Sequence, residues 1–230
     1  TVVTDNKRKT GIPGFDEISY GGLPAGRTTL ISGSSGSGKT ILATQFLVEG
    51  IQQFSEPGVF VTFEENVNDL IRNVKNFKWD IKGYISNDMW RFVNATVEEY
   101  EQPKIVGNFD LKALMVRVES KVDEIGAKRI VLDSIGSLFQ YFQDPALIRK
   151  EIYALLTFLK KKNLIIMFTS ERLEEYGLVS RFGVEEYLAD NVLILRNVLM
   201  AEKRNRSIEI LKYRGSAHSK GEQSFVIDPK

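Results

Sequence analysis

Gly33-Ser34-Ser35-Gly36-Ser37-Gly38-Lys39-Thr40 decides how this sequence folds. The stretch fits G-x-x-x-x-G-K-[ST] without mismatch, and it stands between a short β-type run over 28–32 and an amphipathic run over 39–53. The bland alternative is a flexible Gly/Ser turn, but the flanking strand and helix are the context in which such a loop holds phosphate. Glycines at 33, 36 and 38 let backbone amides turn toward an anion without Cβ clashes. The following helix offers its N-terminal amides and the positive end of its dipole. Lys39 is expected to reach the β- and γ-phosphates of ATP, with Ser34, Ser35 and Ser37 in the cradle and Thr40 as a ligand to Mg²⁺.

A second acidic residue is expected for the metal. Residues 129–133 read Arg-Ile-Val-Leu-Asp, a hydrophobic strand ending in Asp133 about ninety residues after the loop. Glu64 and Glu65 follow another strand, over 59–63. In an open α/β sheet the carboxyl ends of strands face the ligand crevice, so this pair is placed to position and deprotonate a water. Its structural alternative is a favourable charge at the start of the next helix.

Outward from these motifs, the first thirty residues are rich in turn signals. Residues 66–76 read as helical. Over 109–125, Leu111, Leu114, Met115, Val118, Val122 and Ile125 share one face, and Gly126 is a stop. Asp144 and Pro145 open a helix whose stripe is Ile148, Ile152, Leu155, Leu156 and Leu159, with Lys160, Lys161 and Lys162 at its end. Residues 164–169 read as a strand. Residues 191–196 and 207–213 read as two strands joined by a charged hairpin. Strands alternate with helices early and the end is all strand. The expected fold is α/β, a mostly parallel central sheet with helices on both faces and an antiparallel C-terminal extension.

The chain has 230 residues, and no linker of domain-separating length follows residue 30, so 1–230 is expected to be one domain. Thirty-one Lys and Arg against thirty Asp and Glu leave a formal charge of +1, no global reason to seek nucleic acid or a membrane. With no cysteine and one histidine, disulfides, thiol catalysis and zinc cages of Cys or several His are excluded. The strongest apolar runs are far below the ~20 residues that span a bilayer, and no signal peptide opens the sequence. The default expectation is a cytoplasmic protein.

Several stretches resemble the KaiC family of circadian clock ATPases, within the RecA-like superfamily of P-loop NTPases. They are Thr10-Gly11-Ile12-Pro13-Gly14-Phe15-Asp16-Glu17, Gly21-Gly22-Leu23-Pro24-Ala25-Gly26, the phosphate loop, and Val61-Thr62-Phe63-Glu64-Glu65. Tyr176-Gly177 through Phe182-Gly183-Val184-Glu185-Glu186, and Lys212-Tyr213-Arg214-Gly215-Ser216-Ala217-His218-Ser219-Lys220-Gly221-Glu222, extend the likeness over essentially the whole chain. It is most similar to CI, the first of the family's two ATPase domains. The resemblance implies a RecA-like fold and a homo-hexameric ring with ATP at each interface. It implies that Glu64 and Glu65 are the catalytic pair. Lys212 and Arg214 would reach the neighbour's nucleotide, with Tyr213, Ser216 and His218 nearby and Asp228 at the end of the last strand. Asn76 and Trp79 would line the base and ribose side. It also implies docking of the small clock protein KaiB through 102–108.

Lys212 and Arg214 are expected on one face of a strand, where two cations at a seam could act as arginine fingers do. The alternative is an edge strand defended by charge. Alone, His218 would read as a surface histidine and Trp79 as core. No segment matches a second ATPase domain or the adjacent Ser-Thr phosphorylation pair of two-domain members. The sequence is therefore expected to be either an isolated first domain, a fragment of a two-domain serine/threonine autokinase, or a single-domain relative. Two other functions compete: a DNA-dependent recombinase or helicase ATPase of the same fold, and a nucleotide-gated assembly scaffold.

Overall fold

The computed structural model describes residues 6–96, 111–140 and 144–228. A two-stranded ribbon, β1 (Lys7–Arg8) with β2 (Leu23–Pro24), brackets the short helix α1 (Phe15–Ile18). The phosphate loop then links β3 (Thr28–Gly33) to α2 (Lys39–Phe54). β4 (Gly58–Thr62), α3 (Val67–Asn73), a 3₁₀ turn (Lys75–Phe77), α4 (Ile81–Ser86) and β5 (Trp90–Asn94) follow. Next come α5 (Leu111–Ile125), β6 (Arg129–Asp133), a 3₁₀ segment (Ile135–Gln140), α6 (Pro145–Lys161) and β7 (Ile165–Glu171). The chain ends in α7 (Glu185–Leu188), β8 (Asn191–Met200), β9 (Lys203–Tyr213) and β10 (Glu222–Phe225).

The central sheet has eight strands in the order β10-β9-β8-β3-β7-β6-β4-β5. β3 to β8 run parallel, and β9 and β10 add antiparallel. The expected arrangement is therefore present, and its parallel strands read as near-continuous apolar runs because both faces are covered. α5 and α6 close one face over Leu114, Val118, Leu155 and Leu159, all at most 3% exposed. α2, α3 and α4 close the other over Phe46, Leu47, Leu70 and Ile81.

Local signals explain the elements. The Asp144 carboxylate accepts from Ala146 N at 2.9 Å, and Pro145 fills the first turn of α6. Gly126 ends α5 at φ +61°. The helix expected over 66–76 is shorter: Asn66 caps α3, and the chain tightens into the 3₁₀ turn after Val74. The strand expected over 59–63 is shifted by one residue, to β4. The hairpin of β8 and β9 is longer than the sequence implied and turns at Ala201 and Glu202, both at positive φ. α4, β5 and β10 were not anticipated.

β6 ends in two functional-looking residues. At its carboxyl end stands Asp133. At its start the Arg129 side chain is fully buried, bonding Thr10 O and Phe46 O at 2.8 Å each, Lys9 O at 2.9 Å and the Glu56 carboxylate at 2.6 Å. That one guanidinium fastens the N-terminal segment, α2 and the approach to β4 to the middle of the sheet. Among the described residues no helix is long and apolar enough to cross a membrane.

Candidate nucleotide site

Parallel strands bring the candidate residues to one edge of the sheet. Gly33 ends β3 opposite Glu171 of β7, and Thr62 ends β4 opposite Asp133. The loop between β3 and α2 is tight. A Cβ on Gly33 would collide with Ser37 Oγ, and one on Gly38, at φ +101°, would lie 2.7 Å from Ile227 Cδ1. Glycine is therefore required at both, by crowding at 33 and by backbone conformation as well at 38.

Lys39 folds back over the loop and donates to Gly33 O at 2.8 Å and Ser34 O at 2.9 Å. Burial lowers its pKa, and Asp133, Glu171, Glu64 and Glu175 around it act in the opposite direction. The Thr40 hydroxyl donates to the Asp133 carboxylate at 2.8 Å. The Thr169 hydroxyl, on β7, holds the other carboxylate oxygen. Burial raises the Asp133 pKa against both hydrogen bonds and Lys39. A hydroxyl and a desolvated carboxylate side by side suit a hard, oxygen-seeking divalent ion, so these residues fit Mg²⁺. Among the described residues there is no cage of three or more His, Cys, Asp or Glu, and a phosphate-bound magnesium completes its shell with water and phosphate oxygens.

Glu64 and Glu65 lie just past β4, both exposed at the crevice. Ser137 donates to Glu64, fixing it from the 3₁₀ segment after β6. Glu65 is held by Asn73 Nδ2 at 3.2 Å, while the Thr62 hydroxyl binds its carbonyl at 2.6 Å. Partial desolvation raises the Glu65 pKa first and the Asp133 charge raises it further, with the Asn73 bond pulling it down.

A cavity of about 730 Å³ opens beside Gly38. Trp79 and Asp228 line it, and Trp79 stacks on Phe77 with centroids 4.7 Å apart. Asn76 is exposed on the 3₁₀ turn and does not line it.

The remaining residues gather elsewhere. Lys212 Nζ donates to Ala189 O at 2.7 Å and Glu186 O at 3.3 Å, and Arg214 reaches Asp190 Oδ1 at 3.3 Å. Burial and Arg214 lower the Lys212 pKa. A bulge on β9, where Leu193 pairs with Ile210 but Val192 with Lys212, turns Lys212 away from the face of Ile208 and Ile210. Tyr213 points into its own chain: it is buried, its hydroxyl donates to Gly22 O, and burial pushes its pKa up. His218, also buried, meets the edge of Tyr213, donates from Nδ1 to Ser219 O at 2.7 Å and accepts on Nε2 from Lys220 Nζ at 3.1 Å. Ser216 bonds Ala217 O. These contacts all go to the chain's own backbone and side chains, none to the phosphate loop. Residues 102–108 lie outside the described residues.

The sequence reading did not name three side chains on the outer flank of the loop. Glu175, after β7, accepts from Ser34 Oγ at 2.5 Å and from Asn197 N at 3.0 Å. Asn197 and Arg206 both reach Gly36 O. The only sequence signal for Asn197 is its place two residues past the part of β8 that pairs with the loop's own strand.

A family model described as "ATPase: KaiC" matches residues 8–230. The circadian clock protein KaiC3 of Synechocystis sp. (strain PCC 6803) is 52% identical over 221 residues, 96% of this chain and 44% of that protein. The circadian clock oscillator proteins KaiC of Parathermosynechococcus lividus and Synechococcus elongatus are 48% and 47% identical over the same 96%. The chain thus spans less than half the length of these relatives, 41% and 42% of the latter two. By this match and by its RecA-like sheet, the chain belongs to the KaiC ATPase family.

Proposed function

We propose that this chain hydrolyses Mg·ATP at subunit interfaces of a homo-hexameric ring, and that residues 1–230 act as one CI-type ATPase domain. One observation carries the reading: Lys39, Thr40 and Asp133 meet at the end of β3 while Glu64 and Glu65 flank them from β4.

In this reading the amides of the loop bind the phosphates and Lys39 leaves Gly33 O and Ser34 O for the β- and γ-oxygens. Thr40 and Asp133 would hold Mg²⁺, which when bound neutralises charge on those oxygens. Glu65, with its raised pKa, takes a proton from the attacking water, and Glu64 orients that water from its Ser137 anchor. Lys212 and Arg214 serve the neighbour's site, where their charge would meet the transferring phosphoryl group. Ser216, His218 and the backbone of Tyr213 support that segment. Trp79 and Asp228 bound the base and ribose side of the cavity, and Asn76, on the neighbouring 3₁₀ turn, stands outside its lining.

Relatives named as circadian clock proteins support a timer or switch; docking of a KaiB-like partner, a cytoplasmic location and independence of membrane and nucleic acid belong to the same proposal. A longer parent of this chain would add the autokinase domain. Phosphate release from Mg·ATP, measured with and without single-stranded DNA, tests the proposal. Slow release indifferent to DNA is expected. Release strongly stimulated by DNA would replace the timer with a DNA motor, and binding without any release would leave a nucleotide-gated scaffold.

A further inference from the structure

We infer that Arg206 and Asn197 are positioning residues of the phosphate loop, acting through the Gly36 carbonyl. This deepens the nucleotide reading of the loop and rests on it. β8 lies beside β3, and Leu195 pairs with Gly33, so the strand runs on past the point where β3 becomes the loop. Two residues further, Asn197 pairs across the hairpin with Arg206 of β9. Both side chains converge on one acceptor: Asn197 Nδ2 lies 3.4 Å and Arg206 Nη2 3.3 Å from Gly36 O. The Asn197 amide N–H bonds Glu175 at 3.0 Å, and that carboxylate also holds Ser34 Oγ. The flank of the loop is thus pinned at 34 and at 36 by strands outside it.

Arg206 has further features that an ordinary structural cation lacks. Among the described residues no carboxylate pairs with it: Glu209 of β9 and Glu222 of β10 both pair with Arg196 instead. Its Nε is buried without a partner, as is Asn197 Oδ1. A cation left unpaired against a loop whose ligand is a polyanion is placed to add attraction as well as a hydrogen bond. Drawing the Gly36 carbonyl outward leaves the amide groups of the loop free to face inward, the arrangement that cradles phosphate.

A fluorescent ATP analogue with Mg²⁺, titrated into wild-type protein and variants, tests this beside phosphate release. Arg206→Ala and Asn197→Ala are each expected to weaken binding about five- to tenfold, the worth of one hydrogen bond to a carbonyl with a charge contribution. The KM should rise while kcat at saturation stays within about twofold, since the chemical groups are untouched. The double variant should bind little worse than the weaker single one, because both act through one carbonyl. Arg206→Lys should recover most of the affinity. Multiplying single effects, an unchanged KM with a lower kcat, or variants that bind like wild type would overturn the inference while leaving the nucleotide reading intact. Wild-type protein that binds no analogue would overturn both.

Discussion

Glu64 and Glu65 are adjacent in sequence but differently held. Glu64 is tied to Ser137 on the 3₁₀ segment after β6, and Glu65 to Asn73 on the helix that follows it. If the pair activates water, Glu64→Gln with Glu65→Gln should lower turnover by about 10²–10⁴-fold, the usual worth of general base catalysis, with nucleotide binding retained in an equilibrium titration. The base must be ionised, so the rate falls as pH drops through the Glu65 pKa. Because that pKa is raised by desolvation and Asp133, the acid limb should lie above the ordinary glutamate range. Asn73→Ala removes the one hydrogen bond that lowers it, and should move the limb of the pH–rate profile to still higher pH. An unmoved limb would assign the base elsewhere.

α6 and β6 could be read from sequence to the residue at their starts, for physical reasons. An Asp-Pro pair states where α6 begins, its apolar stripe where it packs, and three lysines where it stops. β6 is an uninterrupted apolar run closed by a carboxylate. β5 and β10 carried no such statement. β10, Glu-Gln-Ser-Phe, is short and only half-buried on one face, with Phe225 alone packed against the core, and it pairs with β9 at the sheet's edge. The site divides in the same way. The loop is local and its chemistry dictates its residues, whereas the Asn197 and Arg206 contacts to Gly36 join positions 161 and 170 apart. The long-range contact from Thr40 to Asp133, 93 residues apart, was readable only because a phosphate loop demands an acidic partner. The α6 cap gives a clean test: Asp144→Ala should cost about 1 kcal/mol, lowering Tm by about 2–4 °C in a thermal melt.

Lys212 and Arg214 set the molecule as a whole against its single-chain form. Within one subunit they rest on the end of α7 and on Asp190, away from the loop. If they act on a neighbour, a Lys212→Ala chain and a Glu64→Gln, Glu65→Gln chain are each inactive but complementary. Mixed in equal amounts and reassembled, they should regain turnover at roughly a quarter of sites, where an intact glutamate pair faces an intact lysine in a head-to-tail ring. No recovery in reassembled rings, with each variant inactive on its own, would place Lys212 and the glutamate pair at the site of one and the same chain.

The buried Arg129 has a consequence for where the chain tolerates a break. Its donors bind the carbonyls of Lys9 and Thr10, so the N-terminal segment is a plug and not a tail. A protease nick after Thr10 would free that plug and leave buried donors on β6 unanswered, a loss of the kind that costs several kcal/mol. The strand so loosened is the one that presents Asp133 at its other end. Clipped protein should therefore melt at lower temperature and lose its response to magnesium in the same step.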